Sequence, residues 1–546
     1  MRKSRTIAIS TLILISGSIV SKLLGFLRES VLAYFFGATK VTDAYIIALS
    51  IPAFILLGIG GAISTSIIPI ASKVEKEEGQ PGLFRLISNL TNTAILVSVA
   101  LVALSIVVID PIIGAFAQGF DKEATILATK LTLIMLPTSV FMLAQAVLNS
   151  LLQYRGDFFV NALTGALQNS ITILLVVLTG RSIGISSAAI GTLASSASIT
   201  LLQLLRLRGI GYRHKWIINV RDDGFKAVIG MLAPIMAAGL ISQLGVVVIR
   251  SIGTGLGEGS VAFINYAQKL VLMPYAIIGT SIITVFYPTI SKQFQASGTS
   301  GLLGSLHKSM STLYFALAPI AAGAVFLATE VVKVVYERGA FTSEMTTATS
   351  IVLVYLAVSM PFMGLADLFS KALFVMQDTV TPLIVTAASS IFGVALAWLL
   401  SPSLSFIGLA IGMSGQYLAS LLLSSYLFNR KLVKSRTASQ KGTKEGIEHP
   451  IVAFNKRLLV SIAKTTASTA VMILALVASK RLIGNRLPTE GLLKTLISIT
   501  IYAAIGGISY VLAAALLKTD ELTFLFGIAK GFLLKLRNKL APSSKV

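Results

Sequence analysis

Apolar runs of roughly 20 residues, each long enough to cross a hydrocarbon core, recur about fourteen times along this chain. They lie at 8–27, 44–72, 88–110, 127–150, 158–180, 183–205, 227–250, 260–290, 309–329, 349–374, 381–401, 404–428, 457–479 and 491–517. Only one solvent tolerates that pattern. Charged residues make up 12% of the 546 positions, about half the share usual in a soluble domain. The expected fold is an all-α polytopic membrane protein, one large helical bundle. The runs at 44–72 and 260–290 are overlong and contain prolines, which predicts tilted or kinked helices.

The net charge of +23 first suggests nucleic acid. Its distribution says otherwise, because the basic residues sit in short connections between apolar runs. With Arg2, Lys3 and Arg5 in the cytoplasm, about 30 Lys/Arg fall on that side and about 9 on the other, the positive-inside asymmetry. An even number of spans returns Lys530, Lys535, Arg537 and Lys539 to the cytoplasm as well. Lys22 and Arg28 favour a retained first helix over a cleaved signal peptide. Residues 521–540 alternate apolar and basic side chains at helical spacing and read as an interfacial helix or an ordinary basic tail.

Cysteine is absent, which excludes disulfides, thiolate metal sites and a cysteine nucleophile. His214, His307 and His449 lie far apart in polar connections, so no metal site is expected. No serine–histidine–acid or paired-carboxylate arrangement is visible, and neither an enzyme nor a cofactor is expected. The cluster Gly58–Gly61 lacks the Lys-Ser/Thr of a phosphate loop. It reads as close helix packing, like the Ser/Ala-rich stretch 186–199, with a hinge as its functional alternative.

The first twelve spans carry one pattern twice, offset by about 220 residues, as transporters often do. Gly25 and Arg28 return as Gly245 and Arg250, and Pro52 returns as Pro274. Asp43-Ala44-Tyr45 returns near Ile264-Asn265-Tyr266. Ile68-Pro69-Ile70-Ala71-Ser72-Lys73 returns as Tyr287-Pro288-Thr289-Ile290-Ser291-Lys292. Pro137 matches Pro361, and Tyr154-Arg155-Gly156-Asp157 matches Val375-Met376-Gln377-Asp378. The expected division is an N-lobe at 1–222, a C-lobe at 223–430, a cytoplasmic linker at 431–456, two added spans at 457–519 and a basic tail at 520–546. Six spans per copy is an even number, so both lobes insert in one orientation. The expected substrate site lies between them, with alternating access by rocking.

Ionisable groups inside spans mark function by default, since burying one costs at least about 2.5–3.5 kcal/mol. Lys22 lies well inside span 1, with Arg28 and Glu29 at its end. Asp43 opens span 2, Arg250 closes span 7 and Lys269 lies inside span 8. Four cations and two carboxylates thus converge on one candidate site of positive balance, suited to an anion such as a diphosphate. Lys22 and Arg28 are about 9 Å apart along a helix and about 120° around it, so they line a broad cavity without gripping one phosphate side by side. Snorkelling to the interface, or pairing with Glu29 and Asp43, is the competing reading. Lys130, Lys464 and Lys494 lie near span ends, where snorkelling is favoured.

Ser21-Lys22-Leu23-Leu24-Gly25-Phe26-Leu27-Arg28-Glu29, Phe36-Gly37-Ala38 and Thr42-Asp43-Ala44-Tyr45 resemble the N-terminal signature of the MurJ/MviN lipid II flippases. Asn265-Tyr266-Ala267-Gln268-Lys269, Arg338-Gly339-Ala340-Phe341-Thr342 and Gln377-Asp378-Thr379-Val380-Thr381-Pro382 resemble further family segments. The resemblance implies the multidrug/oligosaccharidyl-lipid/polysaccharide exporter superfamily, with two six-helix lobes around a cationic cavity. It also implies two extra helices that form a groove for a polyprenyl tail. The implied substrate is lipid II, with Lys22, Arg28 and Lys269 at the family's functional basic positions and Asp43 at its acidic one. Leu56-Leu57 stands where the family often carries a basic pair, while Gln268 and Leu272 replace acidic residues.

The expectation is therefore a lipid II flippase of the bacterial cytoplasmic membrane with both termini cytoplasmic. Lys22, Arg28, Lys269 and Arg250 are its substrate-binding candidates, supported by Glu29 and Asp43. Expected partners are lipid II and bilayer lipids, with no nucleic acid; the protein acts as a monomer, and contact with the cell-wall machinery stays open. The alternatives are a flippase for another polyprenyl-linked polysaccharide, a cation-coupled multidrug exporter, and a non-transporting membrane scaffold.

Overall fold

The structure is a computed structural model that describes residues 2–55, 59–439, 445–484 and 491–524. Every regular element in them is helical. The first series runs α1 (Arg2–Phe36), α2 (Lys40–Ile55), α3 (Ile59–Val107), α4 (Ile109–Phe116), α5 (Lys122–Met135), α6 (Thr138–Tyr154), α7 (Phe159–Ile183) and α8 (Ser186–Gly209). The second runs α9 (Asp223–Thr254), α10 (Ser260–Pro274), α11 (Thr280–Phe326), α12 (Ala328–Tyr336), α13 (Ser343–Val358), α14 (Met360–Val375), α15 (Val380–Leu404) and α16 (Phe406–Ser439). Helices α17 (Glu445–Ile483) and α18 (Leu492–Leu516) follow.

The two series correspond helix by helix at an offset of about 220 residues. The backbone breaks correspond as well. Gly79 (φ 70°) interrupts α3 where Gly298 (φ 57°) interrupts α11. Positive φ recurs at Gly37 and Gly259, Gly156 and Gln377, and Gly184 and Ser405. Asp157 accepts from the Phe159 backbone N–H at the start of α7 and pairs with Arg206 of α8 at 2.6 Å. Its repeat partner Asp378 accepts from the Val380 and Thr381 N–H groups at the start of α15 and pairs with Lys431 of α16. One local device, a helix-capping carboxylate tied to the next helix, is used twice.

Ten stretches among the described residues are long and apolar enough to span a bilayer. One of them, Ser260–Phe326, has 67 residues, about 100 Å as continuous helix. That is three hydrocarbon thicknesses, and Gly298 breaks it. Pro274 removes a ladder hydrogen bond, and a π-turn at Tyr275–Gly279 follows directly. The Tyr275 hydroxyl of that turn donates to Asp367 of α14. The expected span at 127–150 lies within one apolar stretch, Lys122–Tyr154, which passes from α5 to α6 at Leu136-Pro137. Lys431–Ser439 continues α16 and Glu445–Lys456 opens α17. Leu56, Leu57, Gly58, His449's side chain and most of the basic tail lie outside what is described.

The chain forms two compact units. The first comprises residues 1–269, 335–349 and 394–412; the second comprises 270–334, 350–393 and 413–546. In the first unit α1 lies against α7 through small residues. A β-carbon at Gly17 would sit 2.7 Å from Ala162, one at Gly165 would sit 2.0 Å from Ser21, and Gly25 faces Asn169. Backbones approach this closely only where side chains are small. In the second unit α17 and α18 pack on each other and on α11. There Met472, Leu476, Tyr502, Tyr510 and Ala514 surround Phe315, and the Tyr510 hydroxyl donates to the Phe315 carbonyl at 2.8 Å.

Candidate substrate site

Three of the six sequence-predicted site residues, Arg28, Glu29 and Lys269, form one connected cluster within the first unit; Arg250 and Asp43 make separate contacts. Near the end of α1, Arg28 Nη2 donates to Glu29 Oε1 at 2.6 Å. Lys269 Nζ of α10 lies 4.0 Å from the same oxygen, and Asn265 Nδ2 approaches Glu29 Oε2 at 3.4 Å. Glu29 is 4% exposed. One buried carboxylate therefore serves two cations and an amide, leaving a net positive charge. Arg28 Nε is buried without a hydrogen-bond partner, an unused donor in a site of positive balance. The Lys269 side chain is 42% exposed.

Arg250 of α9 donates through Nη1 to Ser50 of α2. With Asn265 and Gln268 it lines a cavity of about 20 Å³, room for one water. Asp43 does not meet a cation. Its carboxylate accepts from the Gly259 and Ala262 backbone N–H groups at 2.8 and 2.7 Å, capping α10 from a different helix. Burial of Asp43 at 2% exposure is offset by two charge-assisted hydrogen bonds and the positive end of α10. Lys22 is half-buried on α1, six residues before Arg28, with Gly25 between them against Asn169.

Ser50 and Asn265 were not among the site residues expected from sequence. The signal was present in the helical period: Asn265 and Lys269 are four apart, and Asp43 and Ser50 are seven apart, so each pair shares a face.

A connecting segment holds these helices in place. The Ala340 N–H donates to the Tyr34 carbonyl at 2.8 Å, the Tyr266 hydroxyl to the Gly37 carbonyl at 3.2 Å, and the Tyr336 hydroxyl to the Tyr266 carbonyl at 3.3 Å. The Tyr266 ring lies 4.8 Å from Tyr336 and 5.7 Å from Phe341. Gly37 and Gly339 interlock here with φ of 63° and 61°. A β-carbon would sit 2.6 Å from the Ala340 carbonyl oxygen in one case and 2.3 Å from that of Tyr34 in the other. Only glycine fits either place.

The family model described as lipid II flippase MurJ matches residues 32–497. The chain belongs to the MurJ lipid II flippase family. The lipid II flippase MurJ of Thermosipho africanus is 29% identical over 75% of this chain and 83% of its own length. That of Burkholderia cenocepacia is 25% identical over 76% and 82%. Among solved structures, a lipid II flippase MurJ in an inward closed conformation superposes with a TM-score of 0.77 at 24% identity, covering 93% of this chain and 99% of that one. An inward-facing multidrug resistance transporter of the MATE family, from the MOP superfamily, reaches 0.60 at 18% identity over 79% and 96%. The polytopic helical fold is thus that of MurJ, shared more distantly with MATE exporters. The protein is a multi-pass inner-membrane transporter rather than an enzyme.

Proposed function

We infer that this chain flips lipid II, the polyprenyl-diphosphate-linked peptidoglycan precursor, from the inner to the outer leaflet of the cytoplasmic membrane. The observation that carries the reading beyond family membership is the Arg28–Glu29–Lys269 cluster. A single buried carboxylate is shared between two cations, and Arg28 keeps a buried donor unused. Such a site is incomplete without an anion. A diphosphate crossing low dielectric needs such partners, because desolvating it alone is prohibitive.

Arg28 and Lys269 take the diphosphate in this reading. Lys22 extends the cationic path along α1, and Arg250 with Ser50 contributes at its edge. Glu29 holds the cations together while the site is empty, and Asp43 fixes α10, and with it Lys269, in position. Alternating access exposes the site first to one leaflet and then to the other. The two copies of the repeat act as the N-lobe (1–222) and C-lobe (223–430), and both termini face the cytoplasm. A membrane potential assists the return of a cation-rich site, at about 2.3 kcal/mol per charge per 100 mV.

Depleting the protein and assaying which polyprenyl intermediate builds up on the inner leaflet tests the substrate. Lipid II accumulation supports the reading. Normal lipid II with loss of another surface polymer refutes it and favours a flippase for a different polyprenyl-linked sugar.

A further inference from the structure

Far from the cluster above in sequence and sharing no residue with it, the first unit contains a cavity of about 770 Å³, within the range of roughly 300–1,000 Å³ usual for small-molecule sites. Ile95 of α3, Leu148 of α6 and Leu204 of α8 make its walls apolar, while Arg208, Arg213 and His214 give it a basic lip. Arg206, two residues before Arg208, is paired with Asp157. Arg208 and Arg213 have no ion pair among the described residues.

The lip is built rather than loose. Asn92 Nδ2 donates to the Lys215 and Ile217 carbonyls at 2.7 and 2.9 Å, and Asn89 exchanges two hydrogen bonds of 2.8 Å with the Asn219 backbone. The Tyr212 hydroxyl lies 3.0 Å from Ser88 Oγ and 3.1 Å from His214 Nδ1. Phe84, Tyr212, His214 and Trp216 meet edge to face in series, at centroid distances of 5.4, 6.2 and 5.3 Å. The ladder ends in Trp216, 84% exposed, followed by exposed Ile218 and Val220. An exposed tryptophan with alternating aliphatic residues beside arginines suits the headgroup level of a bilayer, where apolar walls meet acyl chains and guanidinium groups meet phosphates.

We propose that this cavity binds an anionic phospholipid of the surrounding bilayer, its phosphate on Arg208 and Arg213 and its chains along Ile95, Leu148 and Leu204. The bound lipid fastens the 210–222 connection, and through Asn89 and Asn92 the part of α3 that follows the Gly79 break. It is a site separate from that of the transported substrate.

The chain has two tryptophans, so Trp398→Phe leaves Trp216 as sole reporter. The full-length variant is reconstituted in vesicles of phosphatidylcholine containing equal fractions of chain-brominated phosphatidylglycerol or chain-brominated phosphatidylcholine. Quenching of Trp216 is expected to favour phosphatidylglycerol at least ten-fold in apparent affinity. Each arginine near an anionic surface is worth about a factor of five, so R208A/R213A is expected to bring the two lipids close to parity. R208K/R213K retains the preference and guards against misfolding. R221A/K226A removes one charge of the connection and one from the first turn of α9, both outside the cavity, and is expected to leave the preference intact. Equal quenching by both lipids in the starting protein overturns the proposal, as does equal loss in the R221A/K226A control. A change in Trp216 emission on adding inorganic phosphate in lipid-free detergent, with no further change on adding phosphatidylglycerol, makes this a free-phosphate site and overturns the lipid assignment.

Discussion

Glu29→Gln keeps the size and shape of a buried side chain and removes only its charge. Glu29 Oε1 stands 2.6 Å from Arg28 Nη2 and 4.0 Å from Lys269 Nζ. At an effective dielectric of about 20 these separations correspond to gross attractions of roughly 6 and 4 kcal/mol. The second is screened further, because 42% of the Lys269 side chain is exposed. Removing one partner of a buried pair typically costs about 3–5 kcal/mol, so the ligand-free variant should lose thermal stability clearly. The same vacancy should raise affinity for an anion that takes the place of the carboxylate. If about 1.4–2.8 kcal/mol of the lost attraction is returned by the ligand, lipid II binds 10–100 times more tightly than to the parent. Release then limits the cycle, and complementation fails although binding improves. Thermal unfolding with and without lipid II, alongside direct titration, reads all three effects. A Glu29→Gln protein that binds lipid II no better than its parent, or less well, would refute the view that Glu29 holds the substrate's place.

Asp43→Ala strips the acceptor from the Gly259 and Ala262 N–H groups and should cost about 3–6 kcal/mol at about 1.5–3 per charge-assisted bond; Asp43→Asn keeps one acceptor and should lose roughly half, and an unchanged unfolding temperature for both would remove the capping role. Gly339→Ala forces a β-carbon to within 2.3 Å of the Tyr34 carbonyl oxygen at φ 61°, so a loss of at least about 1–3 kcal/mol and reduced membrane abundance are expected. Burial raises the Asp378 carboxyl, but hydrogen bonds from Lys431 and Thr381 outweigh it and bring its pKa down to about 2. Its stabilisation is present above the unfolded carboxylate value near 4 and is lost as pH falls toward 2. With Lys431 partly solvated, about 1–2 kcal/mol is at stake, and Asp378→Asn should flatten the acid limb of a stability–pH curve measured between pH 5 and 2.

The repeat was legible in Pro137 and Pro361 and in Asp157 and Asp378 because these residues act locally, ending or capping the helix on which they stand. Gly79 and Gly298 were just as informative and were passed over, since a glycine inside a polar connection has many uses and only φ reveals one of them. The short helices α4 and α12 were missed because eight or nine residues give too few turns to distinguish helix from the end of a neighbouring span. Arg28, Glu29 and Lys269 were visible as charges in apolar surroundings. Their joint reliance on one carboxylate was not, because sequence spacing within α1 carries no information about how α10 stands beside it. Asp43 shows the same limit from the other side. An acid at the start of an apolar run reads as a charge partner, and only the neighbouring helix start reveals a cap. The cavity beneath Arg208 and Arg213 was hidden by its own composition, since basic residues in a connection follow the positive-inside asymmetry with or without a site.

The most direct test is the affinity of the doubly substituted Arg28→Ala/Lys269→Ala protein for lipid II, beside that of its parent, with thermal unfolding confirming an intact fold. Loss of two charge-assisted contacts of about 1.5–3 kcal/mol each predicts binding weakened at least 100-fold. A folded double variant that binds lipid II within three-fold of the parent would mean that the diphosphate is carried elsewhere.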